Sequence, residues 1–161
     1  LREMGQSLID GIGRSPGRAV LVDHDHTEMT YAIALQMATR FDQITLVTSR
    51  ERIANDVSLI NRQNILQRLF DQDIELICHV EPDSLDGLEE GQLIMKNVYN
   101  DRISELSDVV TVVHASSRVP NQHLLTPLRA NGLEVIPIGD CRAPRSLMAA
   151  THEGYQVANT L

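Results

Sequence analysis

Tryptophan is absent from the sequence, and aromatic side chains make up only 3% of it. A core must therefore be filled by Leu, Ile, Val and Met, and the 42% of apolar residues is enough for a sizeable one. Two cysteines, Cys78 and Cys141, give neither a disulfide framework nor metal-finger spacing. No apolar run is long enough to cross a bilayer, and none reads as a secretory signal. Positive charge is scarce: 14 Lys and Arg face 22 Asp and Glu, a formal net charge of -8. That balance argues against nucleic acid and against anionic membrane surfaces, both of which attract Lys and Arg. These absences together fit a cytoplasmic protein. The 161 residues suffice for one domain, or for one domain and part of a second. The chain opens on Leu1, and Leu1 to Asp10 reads as part of a helix, so we expect a piece of a longer protein.

What is present alternates. The apolar run Ala19 to Val22, entered through "RSPGR", reads as a buried strand. Thr27 to Phe41 carries Met29, Ile33, Met37 and Phe41 at helical spacing. Ile44 to Val47 is a second strand. Ser58 is a candidate N-cap for a helix to Phe70, with Leu59, Leu66 and Phe70 on one face. Ile74 to Val80 is a third strand. This βαβαβ order predicts a parallel sheet with right-handed crossovers. The segment Glu81 to Gly91 is acidic and is expected to be a solvated loop. Gln92 to Val98, the turn "YNDR" and Ile103 to Leu106 predict an antiparallel hairpin over the parallel unit. Asp108 to His114 is a further strand, followed by a short helix from Asn121 to Asn131. The chain closes with a strand from Glu134 to Ile138, the turn Gly139-Asp140, and a helix starting at Pro144 or Arg145. The expected class is α/β: a Rossmann-like three-layer ββα nucleotide-binding domain, followed by a returning strand and helix of a second domain of the FAD/NAD(P)-binding kind.

The most informative absence is a glycine-rich turn. A dinucleotide site needs Gly-x-Gly-x-x-Gly where the first strand meets its helix, so that bare backbone approaches the pyrophosphate at the helix N-terminus. Here that turn reads "DHDHTEM", with Asp23, Asp25 and Glu28 at the three glycine positions. Each adds a side chain and a negative charge beside a negative ligand, and like charges at about 4 Å repel by roughly 1 kcal/mol even in water. NAD(P) is therefore not expected here. The acidic strand end resembles that of a phospho-acceptor receiver domain, but the further Asp and Lys such a domain needs are missing. His24 and His26 with Asp23 and Asp25 suggest a metal site, yet alternate residues of a strand face opposite ways. A solvated, helix-capping acidic turn is the favoured reading. Arg50 and Arg52 stand where a 2′-phosphate would be met, and without the glycines they read as surface arginines.

The end of such a site is present. In "IGDCRAPR", Gly139 permits a sharp turn, Asp140 can accept from a ribityl or ribose hydroxyl, and the following helix points free N–H groups and its positive end at a ligand. Pro144 suits the first helical turn, where its missing N–H costs nothing. Candidate cofactor-binding residues are Ser116, Gly139, Asp140, Cys141, Ala143, Pro144 and Arg145. The six histidines lack a paired nucleophile motif, so no catalytic residue and no metal ligand is assigned.

The blocks "GRAVLVDHD", "QITLVTS", "LQRLFDQDIEL", "VVTVVHASSRVPN" and "IGDCRAPRSLMAATHEGYQVA" cover nearly all of the chain. Through them it resembles the C-terminal region of the flavoprotein family of trimethylamine dehydrogenase, dimethylamine and histamine dehydrogenases, and 2,4-dienoyl-CoA reductase. "ASSRVPN" resembles the family's A-T-G-R-x-P-N segment, with Ser116-Ser117 in place of Thr-Gly. The resemblance implies an NADH:flavin oxidoreductase or amine dehydrogenase whose N-terminal barrel carries FMN and substrate, beside an iron–sulfur cluster. It implies three regions: a linker over 1–16, a degenerate NAD(P)-binding-like insert over 17–107, and a returning segment of an FAD- or ADP-binding domain over 108–161. The glycine-rich turn of the larger domain would then lie upstream of Leu1. The lost glycines resemble the amine-dehydrogenase branch more than the NADPH-using one. Implied partners are the rest of the parent chain, an electron-transfer flavoprotein and a second copy in a homo-oligomer. The alternative is a scaffold, docking or oligomerisation module that has lost its cofactor.

Overall fold

The computed structural model describes residues 15–160, so the expected N-terminal helix at Leu1 to Asp10 lies outside the described residues. The described chain divides into two compact units that part after Ser116.

The first unit is built around strand β1 (Ser15–Asp23). Its run Ala19 to Val22 is fully buried on both faces, as a central strand of a parallel sheet must be. Strand β2 (Phe41–Thr48) pairs with it on one side and β7 (Val109–Ala115) on the other, both parallel, and β3 (Glu75–Cys78) extends the sheet in the order β3-β2-β1-β7. Ala19 and Leu21 face helices α1 (Glu28–Met37) and α2 (Leu59–Asp71), in a core with Tyr31, Ala34, Met37, Leu46 and Leu69. Val20 and Val22 face the other way, onto Leu93, Met95 and Val80 of a second sheet. That sheet is antiparallel, β4 (Val80–Ser84), β5 (Leu93–Asn97) and β6 (Ile103–Leu106), in that order. The expected three-layer ββα class is the observed one. Among the described residues no helix is long and apolar enough to cross a membrane.

Three expectations are corrected. The third strand, read as continuous to Val80, breaks at His79, whose φ of 65° turns the chain from one sheet into the other. Part of the acidic segment Glu81 to Gly91 is not loop but β4, paired antiparallel with β5, so the expected hairpin is three-stranded. The helix faces also differ. Helix α1 ends at Met37, Phe41 opens β2, and the buried positions are Thr30, Tyr31, Ala34 and Met37, while Met29 is exposed. In α2 the Ser58 cap is as expected, its hydroxyl accepting from the Asn61 N–H, but Leu69 is the buried residue and Leu59 and Phe70 are exposed. Strand β7 pairs with β1, and the first compact unit runs through Ser116.

The second unit holds helix α3 (Leu125–Ala130), a 3-10 turn at Gly139–Cys141 and helix α4 (Leu147–Ala158). The strand expected at Glu134 to Ile138 forms no ladder among the described residues, because a strand exists only with a neighbour to pair with. Helix α4 starts after Pro144 and Arg145, at Leu147, where the Ser146 hydroxyl accepts from the Ala149 N–H. Only Gly139 and Glu153 of this unit are buried, among the described residues.

Removing the Leu69 side chain should leave a cavity under the parallel sheet. Leu69→Ala is expected to cost about 2–5 kcal/mol in urea unfolding, and Phe70→Ala less than about 0.5 kcal/mol.

Candidate functional site

Two turns carry the candidate residues. The first follows β1, at the carboxyl edge of the parallel sheet, where the strand order changes direction between β2 and β7. It is closed by its own side chains. Asp23 is 0% exposed, which corrects the expected solvated turn. One of its oxygens accepts the His26 N–H at 2.8 Å, and the other accepts the Tyr31 hydroxyl at 2.7 Å. The buried His26 ring nitrogen Nδ1 lies 3.2 Å from that second oxygen. The Tyr31 oxygen in turn accepts the Ala54 N–H at 2.5 Å, and the Thr48 hydroxyl donates to the Asp23 carbonyl at 3.2 Å. A carboxylate tolerates full burial when donors converge on it like this. The remaining acids are also engaged: Thr27 donates to Asp25, and Asn61 donates to Glu28 at 2.8 Å. A turn N–H that would meet a phosphate in a glycine-rich loop is thus taken by the carboxylate of Asp23.

Around this turn, His24 stacks on His114 with ring centroids 6.2 Å apart. Burial, then the neighbouring His24, lowers the pKa of His114. No group of three or more His, Cys, Asp or Glu that could hold a metal ion occurs among the described residues. Arg50 lies 3.7 Å from Asp56, and Arg52 donates to Asn55 at 2.9 Å, so both arginines answer local acceptors. Burial pushes the Cys78 thiol up.

The second turn is in the second unit. Gly139 adopts φ of 57°, and a Cβ there would sit 3.0 Å from the Ala150 Cβ, so glycine is required both by conformation and by the approach of α4. Its carbonyl accepts from the N–H groups of Arg142 and Ala143, both at 2.9 Å. Its own N–H donates to Glu153 at 2.8 Å. Glu153 also pairs with Arg145, and Arg142 stands 3.9 Å away. Asp140 is exposed, and its carboxylate has no hydrogen bond or ion pair among the described residues. The residues from Gly139 to Arg145 therefore come together on one turn; Ala143 and Pro144 are half-buried, and Asp140, Cys141 and Arg145 are exposed. Ser116 is exposed at the end of the first unit, next to β7. Beside the turn, Gln122 donates to the Cys141 carbonyl at 2.9 Å, and a cavity of about 410 Å³ is lined by His123, Leu128, Ile136, Ile138 and Cys141.

Glu153 was not among the residues expected from sequence. The available signal was a charge on the inner face of α4, spaced with Ala150 and Val157, downstream of two arginines.

No family model matches the chain, and no curated protein matches it. Solved structures do. Histamine dehydrogenase from Rhizobium sp. 4-9 matches with a TM-score of 0.80 and 24% identity, over 92% of this chain and 22% of that one. The 6-hydroxypseudooxynicotine amine oxidase from Pseudomonas geniculata N1 matches with a TM-score of 0.79 and 19% identity, over 94% and 23%. Thioredoxin reductase from Lactococcus lactis matches with a TM-score of 0.67 and 17% identity, over 96% and 55%. The chain thus spans under a quarter of the first two proteins. At these identities the likeness is one of fold, the Rossmann-like fold of flavoprotein oxidoreductases.

Burial, and then the adjacent Asp23, raises the pKa of the Tyr31 phenol well above its usual value. The neutral hydroxyl therefore stabilises the fold fully below about pH 10, and that stability is lost as pH climbs above it. Tyr31→Phe is expected to cost about 1–3 kcal/mol at neutral pH, since it leaves the Ala54 N–H unpaired, and to flatten the alkaline limb of a stability–pH curve.

Proposed function

We propose that this chain is the C-terminal part of an FMN and iron–sulfur flavoprotein oxidoreductase, of the NADH:flavin oxidoreductase or amine dehydrogenase type. In that reading it supplies half of a second nucleotide site and none of the bond-breaking residues. The observation that carries the reading is the Gly139–Asp140 turn. A left-handed glycine presents an exposed, uncommitted carboxylate just ahead of the N-terminus of a twelve-residue helix. These residues fit a flavin or ADP. Asp140 would accept from a ribityl or ribose hydroxyl, and the positive end of α4 with Arg142 would face the phosphates. Cys141, Ala143 and Pro144 would line the approach. When bound, a flavin would supply electron transfer; these residues would bind and orient it.

The rest of the fold supports the same reading. The likeness to histamine dehydrogenase and to the amine oxidase runs over nearly the whole chain at TM-scores near 0.8. The closed turn at Asp23 supports a first unit that no longer takes NAD(P), since opening it would strip donors from a buried carboxylate. Exposed Leu133, Ile136, Ile138, Leu147 and Met148 support a second unit whose apolar surface is completed by the barrel-bearing remainder of a parent chain. An electron-transfer flavoprotein would be the acceptor, from a cytoplasmic, homo-oligomeric enzyme. The same closed turn also favours a second reading, a scaffold or docking module that binds no nucleotide at all.

Titration of the chain with ADP, FAD and NADPH by calorimetry separates the readings. Uptake of ADP or FAD is expected, weakened about tenfold or more in Asp140→Ala, the loss of a hydrogen bond to a charged group. NADPH is expected to give no heat. Uptake of none of the three, with only FMN in the absorbance of the full-length protein, would establish the scaffold.

A further inference from the structure

Glu153 is a carboxylate that the fold has no evident reason to bury. It lies on the inner face of α4, 6% exposed, in a unit where the only other buried residue among those described is Gly139. An isolated buried carboxylate is costly, so its retention calls for donors that need it. Two donors meet it, and a second arginine stands nearby. Oε2 accepts the Gly139 N–H at 2.8 Å, Oε1 pairs with Arg145, and Arg142 lies 3.9 Å from the same oxygen. Arg145 is tied in turn, its carbonyl accepting from Arg118 at 3.4 Å.

The geometry leaves the turn little freedom. Gly139 is left-handed, and its Cα side is so close to α4 that a Cβ would press on Ala150. Its N–H is fixed from that same helix by Glu153, and its carbonyl is fixed by the N–H groups of Arg142 and Ala143. The residue that leaves this clamp is Asp140. We propose that Glu153 is the positioning residue of the site: it clamps Gly139 to α4 and so fixes the direction of the Asp140 carboxylate. This rests on the reading that Asp140 addresses a nucleotide or flavin hydroxyl. Arg145 then serves as the counter-charge of Glu153, and the ligand meets Asp140 and the helix end.

The test pairs amide hydrogen exchange at Gly139, read by NMR on the whole chain, with titration by ADP and FAD. In Glu153→Ala the Gly139 amide is expected to exchange at least about tenfold faster, while the central amides of α4 keep their protection. Glu153→Gln keeps an acceptor oxygen and is expected to restore the slow exchange. ADP or FAD affinity should fall about tenfold in Glu153→Ala, recover in Glu153→Gln, and show no further fall when Glu153→Ala is added to Asp140→Ala. Unchanged Gly139 exchange, or an equal loss of affinity in both backgrounds, overturns the proposal. If the wild type takes up neither ADP nor FAD, the nucleotide reading falls, and the exchange comparison alone decides the clamp. Glu153→Met fills the same space without an acceptor and replaces Glu153→Ala if that variant does not fold.

Discussion

The first unit depends on one constraint: β1 is buried on both faces and laddered on both edges. A strand so enclosed must find a parallel neighbour on each side and an apolar layer above and below, since an unpaired backbone group in that position would cost what a lost hydrogen bond costs. The sequence meets this with four consecutive apolar residues whose alternate side chains go to different layers. Ala19 and Leu21 join the helices, and Val20 and Val22 join the antiparallel sheet. The loop after β1 is carried to the carboxyl edge of the sheet by the same enclosure, and that is why its chemistry can be compared with that of a dinucleotide turn.

The two turns solve one electrostatic problem in different ways. After β1, acid side chains replace bare backbone, and Asp23 gathers donors from its own turn and from Tyr31, with the His26 ring 3.2 Å away. After residue 138, the acid that gathers donors comes from the helix behind the turn, and the acid on the turn itself, Asp140, is left outward. An inward carboxylate seals a turn, whereas one placed behind it braces the turn and leaves it open. This contrast separates the two units chemically although each turn leads into a helix.

Much of this was legible in sequence, and the reasons for the exceptions are specific. Ala19 to Val22, the Ser58 cap and the "YNDR" turn are local signals, and the structure uses each as written. Strand β4 was illegible because the Glu, Pro and Asp that follow Val80 are poor strand formers; it forms as an edge, where Pro82 is tolerated, by pairing with β5. The helix faces were misread because Met29, Leu59 and Phe70 are apolar yet exposed, and periodicity does not tell an inner stripe from an outer one. The residues Glu134 to Ile138 read as strand by composition, but pairing is a property of the partner as much as of the segment. At the candidate site, the turn was legible from Gly139 and Asp140, while Glu153 was not, because a lone acid in a helix reads as solvent-facing.

His79 turns one strand into two. Between Cys78 in the parallel sheet and Val80 in the antiparallel one there is a single residue, held by its N–H to the Arg50 carbonyl and by its carbonyl from the Val98 N–H. At the other edge strand the chain returns through Ser107 and Asp108, from β6 in the antiparallel sheet to β7 in the parallel one, where the Val109 N–H donates to the Gly91 carbonyl at 2.9 Å. The covering sheet is thus pinned at both of its edge strands, and the layer over Val20 and Val22 has no loose margin from which to lift.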